Sequence, residues 1–416
     1  MSISTPHRRR AVRRTATIAA TAAVMIVGGT AVQADDGPLK LGALMPMTGD
    51  LQAYGQTSLN GIELAAKEIN EAGGVLGQNM EIELGDTQTN PQSGIDAAKQ
   101  LVSIDGVSGI VGALSSGVTI PVSQSVTSKE GIPQISGAST SPVITDLDDD
   151  DFMFRTVPSD AFQGRALAEV VAENGLSNVS ILYVNNDYGE GLADSFEAAF
   201  EEHGGSVEQR NAFEQGNASY RGEVSGAANG DPEALVVIGY PESGITILRQ
   251  ALEGGHFDRF VFTDGLKAPE IIDSLGAEVL EGSFGTAPQA MTDTDSAEHF
   301  RSAYEGEYGE VPPKPFIDTA YDATWVLALA AQAAGSTDGE AVRDALRDVA
   351  NPPGEQILPG EWNKAMELLA DGQDINYSGA SGSVDFDDNG DVSGTFAHWV
   401  IRDGEITTEK VFEPSN

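Results

Sequence analysis

Apolar positions follow two alternating rhythms along most of the chain. Short β-rich runs at 39–45, 80–84, 109–112 and 132–135 predict strands, and between them 58–70, 91–101 and 118–129 carry apolar residues at helical spacing. In 58–70 these are Ile62, Ala65, Ala66 and Ile69, with Gly73-Gly74 closing the helix. Strand, helix and strand in succession predict a parallel sheet covered on both faces. The rhythm then repeats, with helices expected at 161–174, 191–203 and 245–254 and strands at 179–184, 234–239 and 259–263. A long Ala-rich helix at 315–334, followed by helices at 340–348 and 362–370, is expected to return to the first block. Runs at 382–386 and 394–402 read as a closing hairpin. The pattern predicts an α/β protein of two Rossmann-like lobes with parallel sheets.

The first 34 residues stand outside this rhythm. Arg8, Arg9, Arg10, Arg13 and Arg14 precede a small and apolar stretch, and Val32-Gln33-Ala34 supplies the small residues of a cleavage site. An export leader cut after Ala34 is expected, which places the mature chain in the periplasm. The apolar stretch is too short for a membrane span, which needs about 20 residues. The chain has no cysteine, so no disulfide, thiolate metal site or lipidated cysteine enters the picture.

Charge narrows the partners further. With the five leader arginines set apart from the 23 basic residues, 18 remain against 64 acidic ones. Such a field repels nucleic acid and anionic lipid, so neither is expected as a partner. It reads as a solvating shell and says nothing of a ligand.

In open parallel sheets ligands meet the loops beyond the carboxyl ends of the strands. The loops after Val111, Ile135, Val184, Ile238 and Phe262 are therefore the ones to read. Leu114-Ser115-Ser116-Gly117 opens a helix, and Gly137-Ala138-Ser139-Thr140-Ser141 is rich in hydroxyls; both forms suit an anion, and both also serve as plain caps and turns. Asp385 to Gly390 match the first half of a calcium loop, but position twelve is Phe396, and a turn explains the same residues. Asp146 and Asp148 to Asp151 read as a solvated acidic loop. The five histidines, at 7, 203, 256, 299 and 398, show no metal-ligand spacing. No phosphate loop, nucleophile elbow or catalytic carboxylate pair is apparent, so no enzyme activity, metal or cofactor is expected.

Several blocks together resemble the leucine/isoleucine/valine-binding family of type I periplasmic binding proteins, receptors of branched-chain amino-acid ABC transporters. They are Leu41-Gly42-Ala43, Thr48-Gly49, Tyr54-Gly55, the run from Asn70 to Gly74, the run from Asp187 to Gly191 and Tyr321-Asp322-Ala323. The resemblance covers nearly the whole mature chain. It implies three hinge crossovers near Val157, Thr286 and 385–393, giving one lobe of 35–157 plus 287–385 and a second of 158–286 plus 386–416. It also implies an amino-acid solute in the cleft, an inner-membrane ABC permease as partner and a monomeric protein.

By that resemblance the Ser116 hydroxyl, the Ala138 backbone and Thr140 match groups that hold a ligand's α-carboxylate and part of its α-ammonium. Asp264 stands where these receptors usually carry glutamate, as the ammonium's acceptor. The shorter acid implies a ligand drawn toward the second lobe or a different class, such as short amides or small aromatic acids. Tyr54, Tyr188 and Tyr240 match positions that line the pocket, and Phe316 is expected as a further wall.

Overall fold

The computed structural model describes residues 37–415; the leader and its cleavage site lie outside them. Five strands, β1 (Lys40–Met45), β2 (Glu81–Asp86), β3 (Gly109–Gly112), β4 (Gln134–Ser136) and β5 (Met153–Arg155), form the first sheet. Its order is β2-β1-β3-β4-β5 and every pairing is parallel. Helices Gln52–Glu71 and Ile317–Ala334 pack together beside it, the first through Ile62, Ala65, Ala66 and Ile69. A Cβ on Gly61 would sit 2.3 Å from the Ile317 carbonyl oxygen, so this close approach requires glycine.

The second sheet contains β6 (Asn178–Val184), β7 (Ser206–Phe213), β8 (Ala234–Ile238), β9 (Phe260–Phe262) and β10 (Phe284–Pro288). These five are parallel, in the order β7-β6-β8-β9-β10. A small third sheet joins β11 (Glu355–Ile357), β12 (Ile375–Gly379) and β13 (Gly382–Ser383). The last strands, β14 (Phe396–Arg402) and β15 (Glu405–Phe412), add antiparallel to the free side of β10.

The expected hairpin between 382–386 and 394–402 is corrected here. β13 pairs with β12, and the true hairpin is β14–β15, turned at Asp403-Gly404, both with positive φ (53° and 82°). Asp-Gly is the stronger hairpin signal because both residues tolerate the left-handed backbone that a two-residue turn requires. The pattern also passed over β5, β7, β10, β11, β12, β15 and helices Arg221–Ala227, Pro269–Leu275 and Asp295–Tyr308. β7 is intermediate or exposed at every position but its last, and β5 is only three residues long, so neither offers a sustained apolar run.

The chain passes between the sheets three times: after β5, after β10 and between β13 and β14. Arg155, fully buried at the end of β5, ties the first passage to the third. Its Nε and Nη2 donate to Asp391 at 2.6 and 2.7 Å, and Nη1 donates to the Ser141 carbonyl at 2.9 Å. All three tryptophans are buried. Trp325 stacks on Tyr377 and meets Trp362 edge-on, while Trp399 stacks on Phe262.

Candidate functional site

The carboxyl ends of the two sheets face one another, and their loops supply the walls of a closed cleft. From the first sheet, Leu114 follows β3, Ser116 begins helix Ser116–Val122 and Ala138 lies in the loop after β4. From the second, Tyr188 lies in the first turn of helix Asp187–Glu202, which Asn186 caps by accepting from the Gly189 N–H at 3.0 Å. Tyr240 immediately precedes helix Pro241–Gly254, and Asp264 and Gly265 follow β9. Phe316 enters from the start of helix Ile317–Ala334 with φ 75°. Together with Leu51 they border a cavity of about 10 Å³. That holds roughly one water, so an organic solute enters only when the walls separate.

The floor is a buried acid network. Asp264 is 2% exposed, and its Oδ1 accepts from Gln163 Nε2 at 2.7 Å and from the Tyr188 hydroxyl at 2.9 Å. Burial pushes its carboxyl up to about 6, against the pull of those two donors. Asp160, fully buried in the first turn of helix Asp160–Glu173, accepts from the Thr140 hydroxyl at 2.8 Å, while its Oδ1 has no partner among the described residues. Burial and then the charge of Asp264 hold this second carboxyl well above its ordinary range. Above the acids the Tyr188 and Tyr240 rings stack 5.6 Å apart.

Direct hydrogen bonds close the cleft from wall to wall. Ser115 Oγ and the Tyr240 hydroxyl are 2.9 Å apart, and the Tyr54 hydroxyl donates to the Asp264 carbonyl at 3.2 Å. Ser141 Oγ donates to the Asp187 carbonyl at 2.9 Å and Ser243 Oγ to Asp50 at 2.6 Å. At the mouth, Gln52 Nε2 donates to Glu242 at 2.7 Å. Each bond is short-range and individually modest, about 1 kcal/mol, so the closed arrangement can be exchanged for an open one.

Six of the eight residues singled out by sequence border the cavity: Ser116, Ala138, Tyr188, Tyr240, Asp264 and Phe316. The other two stand one layer back. Thr140 gives its hydroxyl to Asp160, and Tyr54 packs edge-on against Phe316 at 5.9 Å. Ser116 Oγ accepts from the Ser141 N–H at 3.2 Å, and the Ala138 N–H reaches Ser136 Oγ at 3.3 Å. Sequence reasoning missed Leu51, Leu114, Gly265 and the acid partners Asp160 and Gln163. The pattern placed a helix at 161–174, and nothing in it said that the acid just before this stretch would lie in the field of another carboxylate.

The set-aside motifs are built as turns and ion pairs. Asp387 Oδ1 accepts from the N–H groups of Asn389 and Asp391, closing the 385–390 turn. Asp149 caps its own loop through Met153 and Asp151, and Asp151 meets the Arg347 guanidinium through both oxygens.

Two α/β halves joined by three passages, with a polar and aromatic cleft at their facing strand ends, define a solute-binding protein of the type I periplasmic kind. The chain belongs to the Leu/Ile/Val-binding family of periplasmic binding proteins, the branched-chain amino-acid transporter type, and the periplasmic binding protein family model matches residues 38–367. It is 30% identical to Leu/Ile/Val-binding protein homolog 1 of Brucella suis, over 86% of this chain and 97% of that one. Among solved structures it is similar to the leucine-binding protein LivK of Thermotoga maritima, with TM-score 0.77, 28% identity and coverage of 90% of this chain and 99% of that one. It is also similar to LivJ of Streptococcus pneumoniae, solved in complex with isoleucine, with TM-score 0.76, 25% identity and coverage of 91% and 100%.

Proposed function

We propose that this protein captures a branched-chain amino acid in the cleft and delivers it, in the periplasm, to an inner-membrane ABC permease. The observation that carries the reading is Asp264, a desolvated carboxylate on the floor of a cavity whose opposite wall is Ser116 and Ala138. A solute's α-ammonium meets Asp264, a charge-assisted contact that strengthens out of water. Its carboxylate meets the Ser116 hydroxyl and the 137–141 loop. Its aliphatic side chain lies against Leu51, Leu114 and Phe316, with the stacked tyrosines as cover. The relatives' names, and isoleucine in the LivJ complex, support the solute class.

In the working cycle the bodies 35–157 plus 287–385 and 158–286 plus 386–416 open about the three passages and close over the solute. The permease then recognises the closed form, and the protein acts as a monomer that binds and presents without covalent chemistry. The test is a thermal-shift screen against amino acids, amides and aromatic acids, followed by calorimetry on the hits, because a ligand of the folded form raises the melting temperature. Leucine, isoleucine or valine should give the largest shift. A shift only with carboxylates lacking an α-amino group would overturn the role given to Asp264.

A further inference from the structure

Three residues beyond Asp264, Lys267 borders a different cavity, of about 220 Å³. Its walls come from both halves of the molecule. Lys267 and Ile406 and Thr408 of β15 come from one half, and Gln289, Phe300, Val311 and Asp318 from the other. The Lys267 side chain is only 6% exposed, and its Nζ has one hydrogen bond among the described residues, to Gln289 Oε1 at 3.1 Å. That oxygen already accepts from Thr408 Oγ1 at 3.0 Å. Asp318 Oδ1 accepts from the Thr319 N–H, and no Lys267–Asp318 ion pair forms within 4.0 Å. Burial lowers the Lys267 ammonium to about 8, with the Asp318 charge opposing, so it is still largely charged at neutral pH.

Lys267 is buried and Asp318 half-buried at the edge of this cavity, which Arg301 and Lys314 also border, and with no direct ion pair each charge offsets only part of the other's desolvation. A guest bearing the two opposite charges offsets the rest at both ends. Phe300, Val311, Met291, Ile406 and the run of prolines at 312, 313 and 315 supply the apolar walls. The volume is below the ~300 Å³ where drug-sized sites begin, so the guest is small. We propose that this cavity is a second solute site, taking a small α-amino acid with an apolar side chain, whose carboxylate meets Lys267 and whose ammonium meets Asp318.

Because the walls belong to both halves, a guest here binds one relative arrangement of them better than another. It thereby changes the affinity of the cleft, and the cleft's solute changes its affinity in return. The Lys267 site is chemically independent of the Asp264 site, and the two can fail separately.

The experiment is equilibrium dialysis of the purified protein with labelled L-leucine to saturation, on wild type, Lys267→Met, Asp264→Asn and the double variant. At the lowest leucine concentration that fills wild type, the expected occupancies are two, one, about one and about zero per chain, because the Asp264→Asn cleft binds at least about 30-fold more weakly. A wild-type plateau of one that Lys267→Met leaves unchanged overturns the second site and keeps the cleft. A plateau of one that Lys267→Met abolishes and Asp264→Asn leaves supports the second site and fails the cleft reading. No binding at all overturns the second site. Should Lys267→Met fold poorly, acylation of Lys267 by acetic anhydride, read by mass spectrometry in the Asp264→Asn background, replaces it. Saturating leucine should lower that labelling at least fivefold, and unchanged labelling overturns the site.

Discussion

Replacing Asp264 by asparagine should make the unliganded protein more stable and the binder worse. The carboxylate is buried, and its raised value of about 6, against an ordinary 3.8, means that ionising it in the folded state is unfavourable. A group whose folded value is raised stabilises the fold below its unfolded value, and that contribution is lost as pH rises through the folded one. At pH 8 the loss is complete, about 3 kcal/mol for a two-unit difference, and at pH 5 it is about half that. Asparagine keeps an oxygen to accept from Gln163 and Tyr188, so the change removes charge and little else. Urea unfolding at pH 8 should therefore favour the variant by up to about 3 kcal/mol, and at pH 5 by about half as much. Both values lie above the sequence pI of about 4.1, where the protein stays in solution. Calorimetry should show the opposite sign for ligand: losing a desolvated charge pair costs about 2–5 kcal/mol, or about 30- to 4,000-fold in affinity for leucine. Equal stabilities at pH 8, or an affinity within threefold of wild type, would refute the reasoning.

Arg155→Ala leaves Asp391 unpaired at the junction of two passages and should cost about 3–5 kcal/mol in urea unfolding; Arg155→Lys should recover little, because the contact is bidentate. Recovery by lysine would show that geometry is not what matters there. Tyr240→Phe removes the hydroxyl that bridges Ser115 and Asn186 and should weaken solute binding about fivefold, about 1 kcal/mol; an unaltered dissociation constant would remove that bond from the closing set. Gly265→Ala drives a Cβ to 2.3 Å from the Gly239 oxygen and should lower stability by about 1–3 kcal/mol, with a thermal midpoint equal to wild type as the disproof. With 64 acidic and 23 basic residues, the melting temperature should climb by on the order of 5 °C between 0.1 and 2 M KCl, since salt screens like charges. A flat salt profile would count against self-repulsion as a stability term.

Much of the architecture was legible in the sequence because a parallel strand buried on both faces leaves an unbroken apolar run, as β8 does with Ala234 to Ile238. Edge strands leave no such mark, which is why β7 escaped notice. The cleft was partly legible for another reason: Ser116, Tyr188, Tyr240 and Asp264 sit in the short connections and first helical turns that follow strands, where topology alone directs attention. Its apolar lining was not legible, since Leu51 and Leu114 look like any core leucine until the second half of the molecule is placed opposite. Nor was the Asp160–Asp264 relation, which arises between residues 104 positions apart when helix Asp160–Glu173 packs on β10.

The burial of Trp325, Trp362 and Trp399 away from the cleft has a practical corollary for optical work. None of the three borders the cavity beneath Tyr188 and Tyr240, so intrinsic indole emission should report unfolding and stay nearly silent to solute. The stacked tyrosines are the native chromophores placed to respond, through near-ultraviolet dichroism. The absence of cysteine turns this to advantage, because a single thiol put in place of Gln52, opposite Glu242 at the mouth, is a unique attachment point for a dye. Such a dye would change its surroundings each time the mouth opens, making the molecule a candidate fluorescent sensor for its own solute.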